Sequence, residues 1–527
     1  MKMENLNGNS KQLQMKNRNN IFLFIIILFC AVTSKAQNKM QDSLRHYNKM
    51  LSPIEMKEDL QILFDIRKQA NSGLYVYRTP QQIDSIFNWA FKEVKSPLST
   101  IDFYKILVRL ADFEGSCHNY TAPDNDLLDF LKRQKSFFPD PLIYMEGQII
   151  FDGQNSAIPA GSRILSINGI TDEELMKSFF KYYPTDGFTQ TTKLSASVNK
   201  SFGINYLLEY GLTDVYETEY VEPQSKNAKK IKIPAVTLEQ RTKNEENKFS
   251  GPVSDLIDFN KQEPYSFEMI NPATGRLNLR WFGMVSGEED PGFEKYVGFI
   301  DSVFVELANK NIPNLIIDVR NNPGGADPTF ELPVMYLSDY SFKENLTACI
   351  VFDPYDIPLE KYFWGVSMDQ AMDSTALALG KEFLKDRFPV YKNGLSYQNQ
   401  KYNPVYTPKT PKFKGDIFML INENVASAAS HFASLVKAYV NYITIVGVET
   451  RGGYYEHNGH SPLIYELPNS KIKSQFSIVH LIQDAPKKVD QPEGSGIIPD
   501  YEIWPTLKDF FEHKDTQLEF VLQLIDK

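Results

Sequence analysis

The 527-residue sequence is poor in cysteine, with only Cys30, Cys117 and Cys349. An exported domain stabilised by disulfides needs a denser set, so this count excludes a disulfide framework. A single bridge between Cys117 and Cys349 is compatible with the count but is not required by it.

A surplus of basic residues is also missing. Lysine and arginine number 56 against 66 aspartates and glutamates, which gives a net charge of −10 at pH 7. Without a basic field to neutralise phosphates, we expect no nucleic-acid partner. The short basic cluster at 226–232 is interpreted as a solvated loop. With 42% hydrophobic and 23% charged residues, the chain is ordinary globular material, long enough for two or three domains.

Long apolar runs are absent except for one near the start. There, IFLFIIILFCAV follows several basic residues and precedes small residues and Gln37, which is typical of a secretory signal peptide over residues 1–36. Its length of about twelve residues is short for a membrane span, which takes about 20. We therefore expect export to the periplasm, cell envelope or medium, with no stable membrane span after cleavage. Phe29 stands where a lipobox has a small residue, which disfavours a lipid anchor on Cys30.

Several common catalytic motifs are missing. GxSxG, GxxxxGK[ST] and GxGxxG do not occur, which removes the α/β-hydrolase elbow and the usual nucleotide signatures. His457 and His460 have a spacing that raises a metal site, but no third ligand pattern such as HExxH accompanies them. They are interpreted as loop or substrate-contact residues, and we expect neither a metal nor an organic cofactor.

The pattern of apolar residues changes along the chain. Spacings of three and four predict an N-terminal helical region over 40–135, and short β-like runs follow over 140–240. Alternating strands and helices predict a layered α/β core over 262–505, followed by a C-terminal helix over 506–527. The expected fold class is therefore α/β with several domains. Within the core, 342–411 is interpreted as a surface excursion that shapes a cleft.

One serine stands at a predicted strand-to-helix junction. In GDIFMLINENVASAASHFASLVK, residues 417–421 read as a strand, and apolar residues from Val425 onward recur at helical spacing. Ser427 is thus expected in a first helical turn, beside unpaired backbone amides and the partial positive charge of the helix. Acyl-transfer enzymes need a nucleophile in such a place. Taken alone, the pattern is more often a small-residue helix face packed on a sheet.

A second segment, NLIIDVRNNPGG over Asn314–Gly325, is an apolar strand that ends in a polar turn. Its two glycines let the backbone approach a ligand closely. LIIDVRNNPGG, followed about a hundred residues later by NVASAASHFA, resembles the catalytic domain of the C-terminal processing (tail-specific) serine peptidases and their tricorn-core relatives. The resemblance implies that Ser427 is the nucleophile. It also implies that the amides of Ala428 and of Gly324 or Gly325 form the oxyanion hole.

The serine needs a base, and the sequence offers no lysine for it. No lysine lies between Lys437 and Lys471, and the turn where the lysine branch of the family carries its base has Arg451, which stays protonated. Lys437 is about 15 Å along the same helix. The histidine branch instead has a "DGHT"-like segment, which GSCHNYT resembles. This resemblance implies that His118 is the general base, a role that suits the pKa of histidine.

Two residues of this segment depart from the family pattern, Cys117 and Asn119. Neighbouring side chains on a strand point apart, so Cys117 is not expected to form a thiol dyad with His118. In tricorn-like relatives a serine at this place supports the histidine, which implies a supporting role for Cys117.

The C-terminal segment QPEGSGIIPDYEI resembles the family ending "xEGxGIxPDxxv". The match implies that Glu493 orients the imidazole, as the acid does in a Ser-His-Asp triad. An exposed acid in a Gly-Pro turn is the alternative, with Asp490 as the nearest substitute.

A stretch within 158–176, SRILSINGITDEELM, resembles part of a PDZ domain, a module that binds extended peptides at a sheet edge. Together these resemblances predict an exported serine endopeptidase that cleaves protein or peptide substrates, with unstructured tails as candidates. The alternative is a non-catalytic ligand- or peptide-binding protein on the same scaffold, as in retinoid-carrying relatives.

Overall fold

The computed structural model describes residues 44, 47–154, 156–251 and 263–527. The predicted signal peptide, with Cys30, lies outside the described residues. Within them, every helix is too short or too polar to cross a bilayer. Cys117 and Cys349 are both free thiols.

The N-terminal region is mainly helical. Its elements are β1 (Met50–Leu51), α1 (Pro53–Ala70), α2 (Pro80–Glu93), β2 (Leu98–Ser99), α3 (Thr100–Glu114), β3 (Tyr120–Ala122) and α4 (Asn125–Lys132). Ser52 and Thr79 start α1 and α2 with capping boxes, each followed by proline, so the first amides of both helices are satisfied locally. Gly115 ends α3 in a left-handed conformation and turns the chain toward β3.

The next region is a small sheet with helices. Its elements are β4 (Leu142–Met145), β5 (Gln148–Phe151), β6 (Arg163–Ile167), β7 (Ile170–Thr171), α5 (Asp172–Phe179), α6 (Thr191–Ala196), α7 (Phe202–Tyr210), β8 (Val215–Val221), β9 (Ala228–Pro234) and α8 (Leu238–Glu246). The strand order is β4-β5-β6-β8-β9, with β7 paired to β6. Aromatic side chains from α7 and β8 fill its interior, including Phe202, Tyr206 and Tyr216.

The remaining chain forms two further sheets. Its strands are β10 (Tyr265–Asn271), β11 (Thr274–Leu279), β12 (Asn314–Asp318), β13 (Asn345–Ile350), β14 (Phe363–Gly365), β15 (Val390–Lys392), β16 (Leu395–Tyr397), β17 (Asp416–Ile421), β18 (Ile443–Gly447), β19 (Glu456–Glu466), β20 (Lys473–Gln483) and β21 (Tyr501–Glu502). Its helices are α9 (Pro291–Asn309), α10 (Glu331–Leu337), α11 (Ser374–Arg387), α12 (Ala428–Tyr439), α13 (Leu507–Glu512) and α14 (Thr516–Ile525).

The central sheet has the order β10-β11-β12-β17-β18-β21, and its strands are parallel except for β10 at one edge. Helices cover both faces: α9, α10 and α12 pack on one, and α14 packs on the other around Val521. Burial on both faces explains why β12, β17 and β18 are nearly continuous apolar runs. The predicted mixed α/β class is confirmed.

The second sheet has the order β14-β19-β20-β13-β16-β15, and β3 pairs with β20. Residues 342–411 contribute β13 to β16 and α11 to it, so the interpretation of this stretch as a surface excursion is wrong. One side of this sheet packs on the N-terminal helices, which are far away in sequence.

Candidate active site

The two predicted motifs meet at the carboxyl ends of β12 and β17. These strands are parallel neighbours in the register Ile317 to Met419, so the turns that follow them leave the sheet side by side. Asn322 lies in the first turn, and its carbonyl accepts a hydrogen bond from the Ala426 amide of the second at 3.2 Å. Ligands of open α/β sheets bind at this edge.

Ser427 is the N-cap residue of α12, one position before the first helical turn in which it was expected. Its backbone angles are φ 52° and ψ −131°, which L-residues rarely adopt. Such strain persists only where the surroundings impose it, and it is typical of functional sites. The residue is partly buried at the start of the helix.

The glycine turn lies directly against this serine. A methyl group placed on Gly324, whose φ is +111°, would come within 2.6 Å of the Ser427 Cβ and 2.9 Å of the Ala428 nitrogen. The Gly324 amide donates to the Asn322 side chain at 2.9 Å. Among the described residues, the amides of Gly325 and Ala428 meet no acceptor. Of the three predicted donors, these two therefore have a free N–H group.

His118 reaches Ser427 across 309 residues of sequence, with its Nε2 atom 3.1 Å from the Ser427 Oγ. Two features hold its turn in place. The strand β3 that follows it pairs with β20. The Asn119 side chain is bound by the buried Glu114 carboxylate at 2.8 Å and by Arg67 at 3.2 Å. Asn119, a departure from the family pattern, thus anchors the histidine turn.

The imidazole is neutral near pH 7. Burial, and secondarily the positive charges of Arg451 and His460, lower the pKa of His118 to about 4, while a hydrogen bond with the Asn458 backbone opposes the shift. A neutral ring has a free lone pair on one nitrogen and a proton on the other. The ring can therefore accept the serine proton at Nε2 without first losing one.

Cys117 contacts the far side of the same ring. Its Sγ lies 3.4 Å from the His118 Nδ1, because residues 115–119 form a turn and not the strand on which neighbouring side chains diverge. Burial, and secondarily the Asp186 charge, raise the pKa of the Cys117 thiol well above its usual value. The thiol is therefore protonated, which argues against a thiolate nucleophile.

Asp186 completes this chain of polar groups. Its carboxylate is buried, accepts the Cys117 amide at 2.8 Å and the Gly453 amide at 2.9 Å, and also interacts with the Cys117 thiol. Ligand atoms of Cys117, His118 and Asp186 all lie within 4.8 Å of one another. The order Ser427, His118, Cys117, Asp186 thus runs from the solvent-facing hydroxyl to a buried acid.

Arg451 braces the histidine turn from the opposite side. Its guanidinium donates to the Cys117 carbonyl at 3.1 Å and to the Pro184 carbonyl at 3.0 Å. The turn that carries lysine in the other branch of the family here supplies a structural cation. Sequence reasoning excluded Arg451 as a base but did not reveal this contact.

Glu493 lies elsewhere. Its side chain is 76% exposed and pairs with Lys487 at 2.6 Å. The turn itself is close to the site, since the Gly494 carbonyl accepts the Phe188 amide at 2.8 Å, but this packing leaves the glutamate facing solvent. The structure does not bring Glu493 to the imidazole of His118.

The substitute acid is also engaged elsewhere. Asp490 pairs with Lys437 at 3.0 Å, and Lys437 further donates to the Ile498 carbonyl at 2.8 Å. These contacts hold Lys437 at the far end of α12, away from Ser427, as expected from its position on the helix.

Two further histidines of the neighbourhood, those singled out by their spacing in the sequence, lie on a strand. His457 and His460 belong to β19, so their interpretation as loop residues is wrong. His457 is buried, with its Nδ1 3.2 Å from the Gln483 amide nitrogen and its ring 6.1 Å from that of His118. His460 lies 3.4 Å from the Glu344 carboxylate.

Comparisons with known proteins find a match to one peptidase family and a shared fold. The sequence model of peptidase family S41 matches residues 372–503. The structure of mature CPAF complexed with lactacystin superposes with a TM-score of 0.58 at 14% identity, over 89% of this chain and 98% of that one. Mature CPAF alone gives 0.59 at 15% identity, over 89% and 97%. At these identities the likeness establishes a shared fold.

A photosystem II D1 C-terminal processing protease also matches, at 12% identity over 89% of this chain and 96% of that one. Its TM-score of 0.37 is too low to support a conclusion. No protein of curated function matches the chain by sequence. The family match, together with the shared fold, confirms the predicted resemblance to a peptidase family.

Proposed function

We propose that this chain, a serine-type peptidase with its family S41 segment over residues 372–503, hydrolyses peptide bonds through an acyl-enzyme on Ser427. The single observation that carries the proposal is the 3.1 Å contact between the Ser427 Oγ and the His118 Nε2. A hydroxyl is a poor nucleophile until a base takes its proton, and this contact is within proton-transfer range.

The reaction proceeds in two halves. His118 takes the Ser427 proton as the oxygen attacks the substrate carbonyl, and it then gives that proton to the leaving amine. A water molecule attacks the resulting ester by the same route and releases the second product. The negative charge on the carbonyl oxygen is stabilised by the free amides of Gly325 and Ala428 at the start of α12.

The imidazolium formed during attack needs stabilisation because His118 is buried among cationic neighbours. Cys117 and Asp186 supply it as positioning residues. The imidazole presents its Nδ1–H to the sulfur, and the thiol in turn interacts with the buried carboxylate. This relay fixes the tautomer that leaves Nε2 free, the part that sequence reasoning gave to Glu493.

The proposed substrates are proteins or peptides with unstructured tails, recruited by a PDZ-like domain at 140–240. Export by a signal peptide over 1–36 completes the proposal, with a helical region at 40–135, the peptidase core at 262–505 and a C-terminal helix at 506–527. Amino-terminal sequencing of the purified mature protein tests export, and a start near Gln37 is expected.

A fluorophosphonate probe tests the nucleophile directly. We expect stoichiometric labelling of the parent protein and no labelling of Ser427→Ala. Ser434→Ala is the control and should label normally, because Ser434 lies further along α12 and its hydroxyl donates to the Tyr454 carbonyl. A folded parent protein that neither reacts nor cleaves unstructured peptides would favour a ligand-binding protein on the same scaffold.

A further inference from the structure

A second group of titratable side chains lies beyond the glycine turn. Asp327, Glu344 and His460 each offer a ligand atom, and these atoms lie within 4.8 Å of one another. The three residues come from separate places: the turn after Gly325, the residue before β13, and β19. The proposed peptidase chemistry uses none of them.

Two buried carboxylates, Glu344 in this group and Glu331 beside it, each have an oxygen without the hydrogen bond that burial normally requires. Glu344 is 1% exposed, and its Oε1 accepts no hydrogen bond from the described residues, with only the His460 Nε2 near it at 3.4 Å. Glu331, the first residue of α10, is fully buried, and its Oε2 is likewise without a donor. Buried polar atoms without partners call for an explanation, and a bound ion is one.

The charges around this group also favour a bound cation. Asp327, Glu331 and Glu344 bring three carboxylates together, and the side chains of Glu331 and Glu344 are buried. Arg387 is 3.2 Å from the Asp327 Oδ2, which leaves the Oδ1 atom without a donor among the described residues. One guanidinium, that of Arg387, and two imidazoles, those of His460 and His431, lie near the three acids.

The backbone around His460 is bent to reach this group. His460 and Ser461 have φ values of +49° and +39°, at the point where the pairing of β19 with β20 shifts register between Gly459 and Pro462. A bulge of this kind redirects a side chain that a regular strand would place elsewhere. The imidazole thereby reaches the Glu344 carboxylate.

We propose that Asp327, Glu344 and His460 bind a divalent transition-metal ion of the zinc class. One imidazole and two carboxylates suit Zn²⁺, which commonly takes three protein ligands and leaves a fourth position open. Mg²⁺ and Ca²⁺ prefer oxygen ligands alone and fit the imidazole less well. The ion would link the turn that carries Gly325 to the second sheet.

Metal binding is tested on the mature Ser427→Ala protein, so that the result does not depend on catalysis. We expect one Zn²⁺ per chain by equilibrium dialysis, and a higher melting temperature with Zn²⁺ than with a chelator. His460→Ala and Glu344→Gln should each weaken binding at least about tenfold. His480→Ala is the control, since His480 pairs with Glu456 at 2.8 Å but belongs to no group of three close ligand atoms among the described residues.

Cobalt distinguishes this group from the one at Cys117, His118 and Asp186. Co²⁺ should give the visible spectrum of nitrogen and oxygen ligation, without the charge-transfer band of a thiolate. Absence of stoichiometric binding would overturn the proposal, as would binding unchanged in folded His460→Ala and Glu344→Gln proteins. A thiolate band lost in Cys117→Ser would overturn it too, by placing the ion at the other group.

Discussion

His118 and His460 are neighbouring, partly buried histidines whose pKa values shift in opposite directions. Burial and cationic neighbours lower the pKa of His118 to about 4. For His460, burial also lowers the pKa, but the Asp327 and Glu344 carboxylates outweigh it and raise the pKa. The same side chain is thus held as a neutral proton acceptor in one place and beside acids in the other. What faces a buried imidazole, more than its burial, decides what it can do.

The largest expected effect is the loss of the base. His118→Ala should reduce kcat by about 10⁴-fold or more, because the Ser427 hydroxyl then has no proton acceptor. Steady-state cleavage of a fluorogenic peptide measures it, with His480→Ala as a control that keeps the dyad intact. If His118→Ala still cleaves the peptide, His118 is not the base, and the contrast with His460 has no functional meaning.

The orienting acid gives the next largest effect. Asp186→Asn should lower kcat by about 10² with little change in KM, because the imidazole loses the carboxylate behind Cys117. Glu493→Gln should change kcat by less than about twofold, since an exposed ion pair contributes little. Cys117→Ser keeps a donor and should retain more activity than Cys117→Ala. The opposite ranking of Asp186→Asn and Glu493→Gln would restore Glu493 as the orienting acid.

A substitution in the glycine turn should have a smaller effect, on stability as well as on rate. Gly324→Ala should destabilise the protein by about 1–3 kcal/mol, because a left-handed φ is costly for alanine. Its methyl group would also meet the Ser427 Cβ at 2.6 Å. Urea unfolding measures this loss. Gly298→Ala, on α9 with open space around it, should instead be neutral or slightly stabilising.

The pH dependence is the mildest test. His118 must be neutral to accept a proton, so kcat/KM should stay high at pH 5 and fall only as pH decreases through about 4. An unperturbed histidine would lose activity through about pH 6.5. Rates between pH 3 and 8, with circular dichroism to confirm folding at each pH, check this. A midpoint near 6.5 would show that the environment of His118 resembles water.

Local patterns predicted part of this site well. The strand ends of β12 and β17 and the serine at the helix start could be predicted because each depends on adjacent residues. Asp186 escaped prediction because it lies 69 residues from Cys117 in a turn without any distinctive motif. Glu493 was placed in the right turn, but the direction of its side chain depends on the packing of Gly494 beside Phe188, which no local pattern encodes.

The second sheet escaped prediction for the same reason. Its strands pair across large separations, as β3 does with β20, and their apolar residues face helices from the start of the chain. The His460 contact depends on a bulge, which is a feature of strand pairing and not of sequence periodicity.

The pairing of β3 with β20 determines when during folding His118 comes beside Ser427. The serine belongs to the central sheet, whereas its proton acceptor arrives on a short strand from the opposite end of the chain, docked on another sheet. In a newly made or partly unfolded molecule, His118 is not beside Ser427, and the serine side chain is an ordinary alcohol. On the proposed mechanism, cleavage would therefore require completed tertiary structure.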